Sequence, residues 1–549
     1  MVTTWFLSAS KKTTASILFL SYLSKFAIYR YMADLDAGLS DLQIASAYTA
    51  TLAGALLFAG MGILFRHKVA NIFLICFIDI WIIANCLYFN SYNLYIDWQV
   101  IRLVDQLRGF ESAILSFLDW KMIFVPLISI LTFVFLFSAR AAVPSKSDRF
   151  VRFVPLVLAS VFCFAATLSG NYASAHAVRD DTKWSLKDSE KTFVKMHSPA
   201  AHVVGVIFDA LKDGLYTYQS TLPLTQREEE IMSSVYTGHT QPANHEINGH
   251  LVFILVESFE SWTMKATDVA GKEVTGNLNK WIQENELLFC PDVISQQKYG
   301  RSGDGQLITQ TGLLPLSSGV ACMSYGDNTY PNFAHFFPCS FILNSYRGVW
   351  NQRVTTRSYG YKKLREPFLK QETDSAIFCR TRETLEQAGE PACVLVITGS
   401  THAPFRSVPP TLHFAGYTAS ESNYLQCVHY MDRHLGRFLA WADTASLMKN
   451  STVIITSDHN HFPVTEGKGK CVFIAKSPSI KSGKTIPQAY QMDVFPTVLH
   501  LIGQADYAWH GFGINLADSA STRLVSEKEA YVLSDKLIRS NYFEKHPCE

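Results

Sequence analysis

Residues 251–262 read Leu-Val-Phe-Ile-Leu-Val-Glu-Ser-Phe-Glu-Ser-Trp. Six apolar residues run without alternation and stop at an acid. A strand buried on both faces of a sheet has that pattern, because neither side of the pleat needs a polar residue. Three more runs of the same kind come later in the chain, at 394–398, 452–456 and 471–475. Helical stretches such as 424–441 separate them, so the reading is an α/β domain whose central sheet is mostly parallel. In such sheets ligands gather beyond the carboxyl ends of the strands.

The residues just past each run therefore point to the chemistry. The first run ends in Glu257, the second is followed by His402 (LVITGSTHAPF), and the third by Asp458-His459 (TVIITSDHNHF). Singly, an acid after a strand is more often a helix cap or a solvated residue. Parallel strands, however, would place a carboxylate, an imidazole and an Asp-His pair on one rim. Oxygen ligands with imidazole suit Mn²⁺ or Zn²⁺ better than Ca²⁺. A nucleophile is supplied by Gly300-Arg301-Ser302-Gly303-Asp304, which precedes the helix-like stretch 306–311. Ser302 then stands near a helix N-terminus, where backbone N–H groups and the helix dipole favour a phosphate. The plainer alternative is a glycine-rich turn with a capping serine.

Working back towards the start, residues 1–170 are far more apolar than the rest, with five segments near 13–32, 42–65, 69–89, 121–138 and 151–169. Each approaches the length of about 20 residues that spans a bilayer. Lys25 and Arg30 interrupt the first and are expected to snorkel to an interface. Basic clusters at Lys11-Lys12, Arg66-His67-Lys68 and Arg140 to Arg152 fall on one side if the spans alternate. That side is the cytoplasm, which puts everything after residue 170 outside. The expected domains are a five-helix transmembrane domain at 1–170, a partly helical juxtamembrane linker at 171–249, and an extracytoplasmic domain at 250–549. Ionisable residues within the spans are few (Lys25, Asp79), so transport is not the expected role.

Bulk properties exclude other classes. A formal net charge of +1 gives no electrostatic reason to expect nucleic acid. Eleven cysteines include no CxxC pair, so a cysteine-based zinc site is not expected.

In order and spacing these pieces resemble the lipoteichoic acid synthase-like phosphoglycerol transferases, membrane-anchored members of the alkaline phosphatase–sulfatase superfamily. Val256-Glu257-Ser258-Phe259 matches that family's LESF-like motif, and Gly300–Asp304 its GxTSD segment with serine for threonine. Ser400-Thr401-His402-Ala403-Pro404-Phe405, Ser457-Asp458-His459, Tyr430-Met431-Asp432 and the Gln491–Thr497 segment also correspond. The resemblance implies one divalent metal, Mn²⁺ before Zn²⁺ or Mg²⁺, held by Glu257, Ser302, Asp458 and His459. It implies that Ser302 attacks a phospholipid donor and forms a phospho-adduct, which passes to a lipid or glycan acceptor. It assigns the transferred group to His402, Trp350 and Arg353, although the Trp-to-Arg spacing is one residue longer than the family pattern. It places the chain in a bacterial cell (inner) membrane, with the oligomeric state open. The competing readings are phosphoethanolamine transfer to a lipid or glycan, and a catalytically silent headgroup-binding protein. Sulfate ester hydrolysis lacks its Cys/Ser-x-Pro-x-Arg segment.

Overall fold

The computed structural model describes residues 2–36, 39–64, 68–92, 95–102, 117–138, 153–162, 202–203, 205–207, 210–211, 213–215, 223–235 and 247–548, apart from 407 and 463–466. They fall into two compact units, which divide near Asp213.

The first unit contains α1 (Val2–Met32), α2 (Asp41–Leu64), α3 (Lys68–Tyr92) and α4 (Phe124–Ser138). Three stretches, Asp41–Leu64, Val69–Asn90 and Trp120–Phe137, are long and apolar enough to cross a membrane. The other two expected spans differ. Helix α1 carries Lys25 and Arg30, and the described part of the last segment is only Phe153–Phe162. Nor do the two cations snorkel. Lys25 is fully buried and donates to Asp79 of α3 and Ser129 of α4, each at 2.5 Å. Arg30, also fully buried, bonds Asp36 in the turn after α1. For Lys25 a partner carboxylate inside the unit removes the reason to reach for water, whereas Arg30 meets a half-exposed one in the turn.

The second unit is built on a nine-stranded sheet, β1 (Leu251–Val256), β2 (Leu288–Ile294), β3 (Cys339–Asn344), β4 (Lys363–Arg365), β5 (Ala392–Ile397), β6 (Thr452–Ser457), β7 (Cys471–Lys476), β8 (Lys484–Thr485) and β9 (Ala489–Tyr490). The order is β4-β3-β5-β1-β6-β7-β2-β8, with β9 beside β2. From β4 to β6 every pairing is parallel. The sheet is nevertheless mixed, because β7 runs antiparallel to both β6 and β2. Leu251, Phe253 and Leu255 of β1 join one apolar core, and Val252, Ile254 and Val256 join the other, so both faces are covered.

Part of the expected linker belongs to this unit. Helix α5 (Gln226–Val235) buries Ile231, Met232 and Val235 in the first of those cores. Its charged side carries Glu228, paired with Lys536 at 2.7 Å, and Arg227, paired with Glu529 at 3.1 Å. Most of 171–249 otherwise lies outside the described residues. Asp432, in the Tyr-Met-Asp motif, has a structural use. It sits on α10 (Ala419–Thr444) and accepts from the backbone N–H groups of Asn277 and Leu278, capping α6 (Gly276–Glu284).

Candidate active site

Register brings the first two groups together. Val256 pairs with Ser457 across β1 and β6, so Glu257 and Asp458 leave the sheet side by side. Helix α7 (Ser302–Thr311) then lies with its first residue, Ser302, against them. Gly305, one turn in, makes that approach feasible: a Cβ there would stand 2.2 Å from the Asp458 carbonyl oxygen. Ahead of Ser302, Arg301 adopts φ 45°, a left-handed value that costs a side-chain-bearing residue about 1–2 kcal/mol. Ser258, next to Glu257, is held at φ 51°. Asp304 secures the turn by accepting from the N–H groups of Lys298 (2.8 Å) and Gly300 (2.9 Å).

The Ser302 hydroxyl donates to Glu257 Oε2 at 3.1 Å and lies 3.3 Å from His459 Nε2. His459 Nε2 is 3.5 Å from Glu257 Oε1 and 3.6 Å from Asp458 Oδ2. A ligand atom from each of Glu257, Asp458 and His459 lies within 4.8 Å of the others, and all three residues are buried. Burial holds the Glu257 carboxyl above its usual range, reinforced by the charge of Asp458. Burial also pushes Asp458 up to about 6, and it lowers His459 to about 4, so that its imidazole is neutral.

These residues fit a divalent cation. Asp458 Oδ1 accepts from the N–H groups of Ser258 and His459, both at 2.7 Å. Its Oδ2 is buried and accepts no hydrogen bond among the described residues. The Nδ1 of His459 lies 3.0 Å from the Asn460 carbonyl. A carbonyl only accepts, so Nδ1 carries the proton and the Nε2 lone pair faces the carboxylates. Two desolvated carboxylates, an orphaned oxygen and an inward lone pair are a donor set short of a cation.

The remaining expected residues divide. His402 follows β5 and packs beside Tyr346, ring centroids 5.4 Å apart, near enough that a charge on it would act on Glu257 and His459. Trp350 lies against Gly303, where an added Cβ would meet its ring at 3.1 Å. Arg353, in α8 (Gln352–Ser358), is not brought to the cluster. It is exposed and bonds Glu366 at 3.2 Å through both Nε and Nη2.

Sequence reasoning passes over four residues. Arg301 stands close enough that its charge lowers both His459 and His461. His461 is half-buried, packs edge-on against Phe405 at 4.7 Å, and falls to about 3, chiefly through desolvation. Glu260 accepts from the N–H groups of His461, Phe462 and Gly469, tying the loop after β6 to the exit of β1. Asp374 begins α9 (Asp374–Ala388) and accepts from the N–H groups of Gly399 and Ser400 at 3.0 Å, steadying the turn that carries His402. The triplet His-Asn-His at 459–461 is a visible signal for His461; the other three have only local context.

Residues 250–504 match the sulfatase family and residues 3–192 the lipoteichoic acid synthase N-terminal domain. Lipoteichoic acid synthase 1 of Bacillus subtilis is 22% identical over 515 residues, covering 84% of this chain and 78% of that protein. Lipoteichoic acid synthase of Staphylococcus aureus is 24% identical over 490 residues, covering 80% and 74%. Among solved structures, the integral membrane lipooligosaccharide phosphoethanolamine transferase A of Neisseria meningitidis superposes with a TM-score of 0.57. It is 14% identical and covers 88% of this chain and 95% of that one, a likeness of fold.

Proposed function

Because this chain belongs to the lipoteichoic acid synthase-like family of membrane-anchored phosphotransferases, within the alkaline phosphatase–sulfatase superfamily, we propose that it moves a phosphoglycerol headgroup from a phospholipid to an acceptor hydroxyl on a lipid or glycan. The observation that carries this reading is the Ser302 hydroxyl, 3.1 Å from Glu257 and 3.3 Å from His459, at the start of a buried helix.

Glu257, Ser302, Asp458 and His459 would hold one divalent metal, with Mn²⁺ the first choice. When bound, such a cation lowers the pKa of a coordinated hydroxyl and offsets charge on phosphoryl oxygens. The rest falls to the chain. Ser302 Oγ attacks phosphorus as its proton passes to a neighbouring base. The bond from phosphorus to the diacylglycerol oxygen breaks, and diacylglycerol leaves once that oxygen is protonated, a role this reading gives to His402. An acceptor hydroxyl then attacks the Ser302 adduct and passes its proton to His402, the Ser302 bond to phosphorus breaks, and the serine regains its proton from the base that took it. Arg301 is the guanidinium beside the nucleophile and takes the phosphate-facing role expected of Arg353. Trp350 lies against Gly303, next to Ser302, where a headgroup would sit.

In this reading the first unit crosses a bacterial cell membrane five times, α1 and the 151–169 segment included, and leaves the catalytic unit outside the cytoplasm. The basic residues on one side of the spans support that topology.

The test is mass spectrometry of the full chain after incubation with Mn²⁺ and phosphatidylglycerol, beside Ser302→Ala. A phosphoglycerol mass on the Ser302 peptide, absent from the variant and from a chelated sample, is expected. Turnover without any adduct would sink the covalent step, and an adduct of another mass would replace the donor.

A further inference from the structure

Every strand that delivers a group to the site ends on one rim of the sheet. Strand β4 ends there as well, since it runs parallel to β3, and β3 parallel to β5. The chain leaving β4 carries Phe368, 91% exposed, and Leu369, 71% exposed. No other large apolar side chain described in the second unit is as exposed as either.

This tip is not a dangling end. The Arg347 N–H donates to the Lys370 carbonyl and Arg347 Nη1 to the Phe368 carbonyl, both at 3.0 Å. The Gly348 N–H donates to Glu366 at 2.6 Å, and the Glu372 N–H to the Ser345 carbonyl at 2.9 Å. The fold therefore fixes an aromatic and an aliphatic side chain outwards. The segment they are pinned to, 345–353, carries Tyr346 against His402 and Trp350 against Gly303. Arg347, Arg353 and Lys370 are all exposed around the tip, and the acid among them, Glu366, is bonded by Arg353.

We propose that Phe368 and Leu369 insert into the outer surface of an anionic phospholipid bilayer, with Arg347, Arg353 and Lys370 at the level of the lipid phosphates. Exposed apolar side chains ringed by cations match that boundary, where acyl chains meet negative headgroups. A chain with three helices apolar enough to cross a membrane keeps such a surface within its reach. The contact would hold the rim bearing Ser302 towards the layer from which a headgroup is taken. That purpose rests on the phospholipid-donor reading; the contact itself is tested without turnover, so the two fail separately.

The experiment uses the full chain in vesicles of phosphatidylcholine and phosphatidylglycerol. Cys379, an exposed thiol, is removed as Cys379→Ser. In that background Phe368→Cys carries a polarity-sensitive fluorophore. Glu390→Cys, exposed just ahead of β5 and so at the opposite rim, is the control. Lipids with a shallow spin label are expected to quench the 368 probe at least about threefold more than the control. Its emission should shift to the blue. Vesicles of phosphatidylcholine alone should lower that quenching by about twofold or more. Equal quenching at both positions would overturn the proposal. A blue shift that tracks protein density rather than spin-labelled lipid would overturn it in favour of a second copy of the chain.

Discussion

Gly305 lies directly against the main chain of Asp458, so closely that a Cβ on it would stand 2.2 Å from the Asp458 carbonyl oxygen. That oxygen already accepts from Gln491 Nε2 at 2.6 Å and belongs to the residue leaving β6. Neither backbone can yield cheaply, so Gly305→Ala must push α7, and Ser302 with it, away from Glu257. Overpacking of this kind costs about 1–3 kcal/mol. A displacement near 1 Å at a nucleophile costs roughly a hundredfold in rate. The expected outcome is a melting temperature lower by several degrees and turnover down by about tenfold or more. Wild-type turnover in Gly305→Ala would mean that the approach does not set the position of Ser302.

Asp458 makes a prediction about pH in the chelated protein. Its folded-state value, about 6, lies above the ordinary carboxylate value of 3.8 because it is buried. A raised acid favours the folded state while protonated, so its contribution is full below about pH 4 and is lost as pH rises through 6. His459 and His461 act in the opposite sense, since burial lowers both and their charging on acidification destabilises the fold. Comparison with Asp458→Asn isolates the carboxylate. Without metal, the variant should gain on wild type from pH 4 to 6, by an amount of order 2–3 kcal/mol, read from paired thermal melts. With Mn²⁺ the order should reverse, because the variant loses one of the proposed ligands. Parallel melting curves across that range would remove the burial argument.

Much of this centre is legible in the sequence. Runs of apolar residues at 251–256 and 452–456 coincide with β1 and β6, because strands buried on both faces leave an unbroken apolar signature. The acids that stop them are legible for the same reason. Strand β4, three residues with mixed polarity, carries no such signature, and the antiparallel entry of β7 depends on pairing that no local pattern encodes. Arg301 and Asp374 are silent in the sequence because their roles arise from neighbours remote along the chain. Lys25 has the sequence context of a snorkelling cation, and only the packing of α1 against α3 and α4 reveals Asp79 and Ser129 as its partners.

That buried pair supports a prediction for the first unit. Lys25 Nζ lies 2.5 Å from Asp79 Oδ1, and Ser129 bonds both residues. Removing one partner strands a charge in an apolar interior, at a cost of about 3–5 kcal/mol, whereas removing both leaves no charge. Lys25→Met and Asp79→Leu should therefore each destabilise the full chain in detergent more than the double variant does. Size-exclusion recovery after a heating series measures this directly. Additive losses in the double variant would show the pair to be independent sites.

Under the proposed reaction two arginines compete for the phosphate, and they make opposite predictions. Arg353 is exposed and already engaged by Glu366, an arrangement typically worth no more than about 1 kcal/mol. Arg301 directly precedes Ser302 and acts electrostatically on His459 and His461. A cation beside a developing phosphoryl charge contributes roughly a hundredfold or more to kcat. Arg301→Ala should thus lower kcat by about that factor with a smaller change in KM, and Arg301→Lys should recover part of the loss. Arg353→Ala should stay within about fivefold of wild type in kcat. Both effects are read from initial rates of diacylglycerol release, with thermal melts to confirm folding. If Arg353→Ala abolishes release while Arg301→Ala does not, the guanidinium at the phosphate is Arg353, and Glu366 must give it up when substrate binds.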